Sequence, residues 1–129
     1  MAKKQVECLQ GISTMRKGKI YISAPISGYD TDERERYFEK QSAFLQMKGW
    51  KVFNPMKNGL PKDASYEEHM KADIRELLKC EAIFMCQGFG GSNGCMLEHE
   101  IAQAIGLKIY YEVKERGIAE HERYDKNDI

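Results

Sequence analysis

Ala82-Ile83-Phe84-Met85-Cys86, the loop Gln87-Gly88-Phe89-Gly90-Gly91-Ser92-Asn93-Gly94, a helical run from Met96 to Ile105, then Gly106 and Leu107-Lys108-Ile109-Tyr110-Tyr111: this stretch decides the fold. Two short, continuous apolar runs flank an amphipathic segment. Runs of that kind are strands buried on both faces, and a helix between them makes the pair parallel. The helix is read with the stripe Leu97, Ile101, Ala104 and Ile105, and Gly106 is its stop signal.

Working outward, the same alternation recurs. Lys19-Ile20-Tyr21-Ile22-Ser23 reads as a first strand ending at Ala24-Pro25. A helix follows from about Asp32 to Lys48, started by Asp30 with Glu33 three residues on and stopped by Gly49. Trp50-Lys51-Val52-Phe53 is a second strand, broken by Asn54-Pro55. A lysine-, glycine- and proline-rich loop, 56–64, leads to a helix that Ser65 and Glu68 open, with Met70, Ile74, Leu77 and Leu78 as its apolar face. The expected fold is α/β: a small three-layer α/β/α domain on a four- to five-stranded parallel sheet, Rossmann- or flavodoxin-like. Residues 18–112 form the domain, 1–17 a polar N-terminal flank and 113–129 a charged C-terminal tail.

The chain has 129 residues, enough for one domain with a real core. Twenty basic and 20 acidic residues cancel. That balance argues against a nucleic-acid partner, which needs a basic excess. The four cysteines, Cys8, Cys80, Cys86 and Cys95, form no C-x-x-C pair, and the three histidines do not fall at ligand spacing from them, so no metal site is expected. No apolar stretch has the length of a membrane span or a secretory leader, so a reduced cytoplasmic setting, with no membrane partner, is the expectation.

In a parallel sheet, ligands bind beyond the carboxyl ends of the strands. That rim gathers three loops, 24–31, 54–64 and 87–94. Glu98, read as lying in the first turn of its helix beside the glycine loop, would be held ionised by unpaired backbone N–H groups. A plain helix-start glutamate is the structural alternative. Asp73 borders the apolar face of its helix and either pairs with a cation or lines a cavity. Tyr21 is a residue that commonly packs in a strand. Ser23, Ser27 and Gly28 suit a sugar or phosphate pocket, with an ordinary strand-to-helix turn as the alternative. His69, His99 and Glu100 read as solvated. Gly88-x-Gly90, with Glu112 ending the next strand, also resembles the start of a dinucleotide fingerprint, but Asn93 stands at its third glycine position.

Taken together, Tyr21-Ile22-Ser23-Ala24-Pro25-Ile26-Ser27-Gly28, the helix bearing Asp73, the strand 81–85 and Ser92-Asn93-Gly94-Cys95-Met96-Leu97-Glu98 resemble the nucleoside 2-deoxyribosyltransferase-like superfamily, in its small, poorly characterised branch. The resemblance covers about residues 18–112. It implies that Glu98 is a nucleophile on the anomeric carbon of a deoxyribosyl group, that Tyr21 orients it, and that Asp73 is an auxiliary acid or base. It implies substrate contacts from Ser23, Pro25, Ser27, Gly28, Gly91, Ser92, Asn93 and Gly94, a nucleoside or nucleoside 5′-monophosphate as the small-molecule partner, no cofactor, and a homo-oligomer of two or more copies. The reaction implied is N-glycosidic cleavage or base exchange; a non-catalytic nucleotide-sensing module is the alternative. Two departures stand out. The established transferases carry another acid shortly before the nucleophile, where this chain has Gly90-Gly91-Ser92-Asn93, and the C-terminal tail does not match theirs.

Overall fold

The computed structural model describes residues 17–113. The two flanks, with Cys8 and His121, lie outside the described residues.

Four strands form one parallel sheet: β1 (Lys19–Ser23), β2 (Lys51–Phe53), β3 (Ala82–Met85) and β4 (Lys108–Tyr111), in the order β2-β1-β3-β4. Three helices connect them: α1 (Thr31–Met47), α2 (Tyr66–Leu77) and α3 (Asn93–Ala104). The expected fold class is therefore the observed one, with four strands among the described residues. The chain leaves β1 in opposite directions to reach β2 and β3, which makes the carboxyl ends of β1 and β3 a switch point where a crevice opens.

Strand alternation divides the core in two. Ile20, Ile22, Ala82 and Phe84 face one side and pack with Phe38, Leu45, Trp50 and Tyr110. That layer lies under α1, whose buried residues Arg34, Phe38, Gln41 and Leu45 recur at helical spacing. Tyr21, Ile83 and Met85 face the other side, with Leu77, Cys80, Cys95 and Ala102 beneath α2 and α3.

Local signals set the ends. The Asp30 carboxylate accepts the Glu33 N–H at 2.9 Å to start α1. Ser65 and Glu68 form a full capping box at α2, at 3.0 and 3.1 Å. Gly49 follows α1 with φ 102°, a left-handed conformation that suits glycine.

Two helices differ from the sequence expectation. The helix bearing Glu98 starts at Asn93, with Ser92 as its cap, because the Ser92 hydroxyl accepts the Cys95 N–H at 3.2 Å. Its buried stripe is Cys95, Glu98 and Ala102, whereas Leu97, Ala104 and Ile105, expected inside, are exposed. Residues chosen for apolarity alone omitted the buried glutamate, and that explains the error. On α2, Leu78 is likewise exposed, while Asp73 and Leu77 are the buried residues.

Candidate functional site

Tyr21 and Ser23 share the lower face of β1, and Glu98 reaches them from the second turn of α3. The Tyr21 hydroxyl donates to Glu98 Oε2 at 2.6 Å and the Ser23 hydroxyl to Oε1 at 2.7 Å. All three side chains are buried, Glu98 with 5% of its surface exposed. The Tyr21 ring stacks on Phe53 with centroids 5.5 Å apart, so the tyrosine is both a packing residue and a hydrogen-bond donor.

Burial decides the charge state. It pushes the Glu98 carboxyl up to about 7, against the lowering effect of the two hydroxyl donors and with a further push from Asp73. Sequence position had implied a first-turn carboxylate held ionised by the helix end. Glu98 instead lies past the unpaired N–H groups, and desolvation outweighs its donors. The Tyr21 phenol is pushed well above its ordinary range, by burial first and then by Glu98, so it stays a donor. Burial likewise raises the Asp73 carboxyl, against a hydrogen bond from Asn58.

These groups line a cavity of about 400 Å³ on the carboxyl rim, within the usual range of small-ligand sites. Tyr21, Asp73, Glu98, Ser92, Gly94 and Ser27 all reach it. Pro25, Gly28, Gly91 and Asn93 do not form part of its lining. Pro25 is buried and offers its carbonyl to Arg34 at 3.0 Å, Gly28 makes the turn before α1 with φ 86°, and Gly91 and Asn93 are exposed at the entry to α3. Ser23 acts from behind Glu98.

Several lining residues were not anticipated: Asn58, Lys62, Tyr66, His69 and Met70. Tyr66, His69, Met70 and Asp73 recur at i, i+3, i+4 and i+7, so they form one face of α2 beside the core face. That spacing was present in the sequence, but the more apolar stripe concealed it. His69, read as solvated, is half-buried on this face, with Nδ1 3.0 Å from Asn58 Nδ2. His99 is also not solvated: its Nε2 lies 2.9 Å from the Tyr111 hydroxyl and its ring stacks on Phe89. Glu100 is exposed, as expected.

The flanking loops are tied down. Arg34 is buried at 7% exposure, with the Tyr29 and Tyr37 rings each 4.4 Å from its guanidinium, and it holds the turn after β1 through Pro25. Lys57 and Lys62 in the loop after β2 pair with Glu39 and Glu35 of α1 at 2.6 and 3.1 Å. Glu112, the acid of the dinucleotide reading, accepts from the Tyr37 hydroxyl and from the Gln87 N–H, so it closes the β3 and β4 ends together.

Among the described residues, no group of three or more His, Cys, Asp or Glu side chains could hold a metal ion, and no helix is long and apolar enough to cross a membrane. The arrangement can present one carboxylate oxygen to an electrophilic carbon while two hydroxyls hold the group in place. It can also place a second carboxyl nearby, that of Asp73, raised above its ordinary range by burial.

Several solved structures share this fold, among them two bacterial proteins. The 2-deoxyribosyltransferase of the psychrotolerant bacterium Bacillus psychrosaccharolyticus is 21% identical with a TM-score of 0.57, over 75% of this chain and 77% of that one. The Clostridium botulinum CMP N-glycosidase BcmB is 24% identical with a TM-score of 0.53, over 81% of this chain and 77% of that one. No curated protein matches the sequence significantly. The fold implied by the quoted motifs is thus the fold found, and over residues 18–111 the sequence matches the family described as "Domain of unknown function (DUF4406)", to which the chain belongs.

Proposed function

We propose that this protein breaks or exchanges the N-glycosidic bond of a nucleoside or nucleoside 5′-monophosphate, with Glu98 as the nucleophile. One observation carries the reading. A buried carboxylate at the floor of a ligand-sized cavity has both oxygens held by hydroxyls rather than by a cation. A structural buried acid is ordinarily paired with a cation or metal. Hydroxyl donors fix its orientation while leaving the anion uncompensated and reactive. The fold shared with a deoxyribosyltransferase and a nucleotide N-glycosidase supports the same chemistry.

In this mechanism a Glu98 oxygen bonds to the anomeric carbon as the carbon–nitrogen bond breaks, and the electron pair leaves with the base. Asp73, whose carboxyl is raised by burial, supplies the proton that the departing base takes up. The glycosyl ester on Glu98 is then opened by water, or by a second base, with retention. Tyr21 and Ser23 orient Glu98, and Ser27, Ser92 and Gly94 border the sugar. The chemistry calls for no metal or redox cofactor. A homo-oligomer in the cytoplasm belongs to the same proposal; Met96, Leu97 and Ile105 are large apolar side chains exposed along α3 and available for self-association.

A second reading has one observation in its favour. With a carboxyl at about 7, Glu98 is partly neutral near neutral pH, and a neutral acid can donate a hydrogen bond to a bound ligand without turnover. The separating experiment is free-base release from a panel of nucleosides and 5′-monophosphates, with and without a second base, for wild type and Glu98→Ala. Release abolished by Glu98→Ala, with binding retained, supports the enzyme. A folded protein that binds members of the panel and releases nothing supports the sensing module.

A further inference from the structure

Opposite Glu98, the α2 side of the cavity carries a small network whose hydrogen positions are set by its own geometry. Asn58 Oδ1 accepts the Leu60 N–H at 3.0 Å. That leaves Asn58 Nδ2 to donate to Asp73 Oδ1 at 2.9 Å and to face His69 Nδ1 at 3.0 Å. Flipping the amide would set its oxygen against a carboxylate and its NH₂ against a backbone N–H, so the orientation is fixed. An amide NH₂ can only donate. His69 Nδ1 must therefore accept, and the hydrogen of the neutral ring sits on Nε2.

We propose that His69, with its ring hydrogen placed on Nε2 by Asn58, binds the heterocyclic base, donating to a ring nitrogen or carbonyl oxygen on the α2 side of the cavity. Asn58 is a positioning residue in this scheme. The inference rests on the glycosidic reading of the site and assigns its base subsite.

The surroundings fit a flat heterocycle. Tyr66 and Met70 flank His69 on the same helical face, and Leu60 lines the cavity from the loop. The α2 face also meets the start of α3 closely: a Cβ at Gly94 would lie 3.3 Å from the Tyr66 hydroxyl and 3.4 Å from Met70 Sδ. Asp73 stands between the two halves of the site, bonded to Asn58 on one side and acting by its charge on Glu98 and Tyr21 on the other. A nucleoside with its anomeric carbon at Glu98 then directs its base past Asp73 toward His69. The charged groups bordering this space are Asp73 from α2, Glu98 from α3, and Lys62, which is engaged with Glu35.

The test is long-range proton–nitrogen NMR of the full ¹⁵N-labelled chain, with His69 assigned by the signal lost in His69→Gln. The ring is expected protonated on Nε2 in wild type and as a mixture of tautomers in Asn58→Ala. Adenine and cytosine are then titrated to millimolar concentration. At least one is expected to shift the His69 Nε2 signal, and His69→Ala to weaken its binding about tenfold, the loss of one hydrogen bond. A ring protonated on Nδ1, no base-induced shift at His69, or unchanged binding in His69→Ala would each overturn the proposal. Free-base binding needs no bond cleavage. Bases bound at His69 by a protein that cleaves no nucleoside would therefore retract the enzymatic reading and leave this subsite standing, and cleavage without a His69 shift would do the reverse.

Discussion

Replacing Glu98 by glutamine makes the protein's stability less dependent on pH, and the size of the change follows from the site. Glutamine matches the shape and polarity of the neutral acid, with one oxygen and one NH₂. One of the Tyr21 and Ser23 hydroxyls goes on donating, and the other rotates to accept. The amide cannot ionise. In wild type the carboxyl moves from its ordinary 4.5 to about 7 on folding, chiefly through burial. A raised carboxyl binds its proton more tightly in the folded state. Its stabilising effect is therefore complete below about 4.5 and is lost as pH rises through about 7. The loss runs at about 1.4 kcal/mol per pH unit over roughly two and a half units, or about 3.5 kcal/mol in all.

The assay is urea denaturation of wild type and Glu98→Gln at intervals from pH 5 to 8.5. Subtracting one curve from the other cancels the groups the two proteins share. Glu98→Gln should gain on wild type steadily between pH 5 and 7, then hold a lead larger by about 2.5 kcal/mol than at pH 5. A difference that stays constant within about 0.5 kcal/mol across that range, or that moves in favour of wild type at high pH, refutes the claim that burial outweighs the hydroxyl donors.

The same electrostatics predict the acid limb of the rate. Activity should rise with pH through about 7 as Glu98 ionises, and the pH profile of kcat/KM reads the midpoint. Tyr21→Phe keeps the stacking on Phe53 but removes a donor that lowers the Glu98 carboxyl, so that midpoint should move higher and kcat fall about 10- to 100-fold. Asp30→Ala removes the cap of α1 and should cost about 1 kcal/mol by urea denaturation with little effect on ligand affinity. Leu97→Glu, on the exposed face of α3, should lower the mass measured by light scattering if that face joins copies of the chain, and an unchanged oligomer would place the contact elsewhere.

Sheet, helix order and caps were legible because each rests on local chemistry. Asp30, Ser65 and Gly49 act within a few residues of themselves, and the apolar runs at β1 and β3 are too continuous to be anything but buried strands. Strand order was not legible, since it depends on which edges meet across tens of residues. The site was legible in part. Glu98, Asp73 and Tyr21 were singled out, and all three reach one cavity, but the charge state of Glu98 was misjudged. A capping serine moved the helix start to Asn93, and that shift put Glu98 in the second turn, past the unpaired N–H groups, where burial sets its charge state. Asn58 escaped notice, and His69 was read as solvated, for a different reason. An Asn-Gly pair in a loop signals a turn and nothing more, and the histidine matters only through its neighbour across eleven residues.

The central claim is that Glu98 forms a bond to the sugar. The most direct test is mass spectrometry of the protein quenched during reaction with a 2′-fluoro-substituted nucleoside, whose electron-withdrawing group slows release of the glycosyl-enzyme. The account predicts an added mass equal to the fluorinated sugar, on the peptide containing Glu98 and absent in Glu98→Ala. Base release accompanied by no adduct, or by an adduct on another residue, would contradict it.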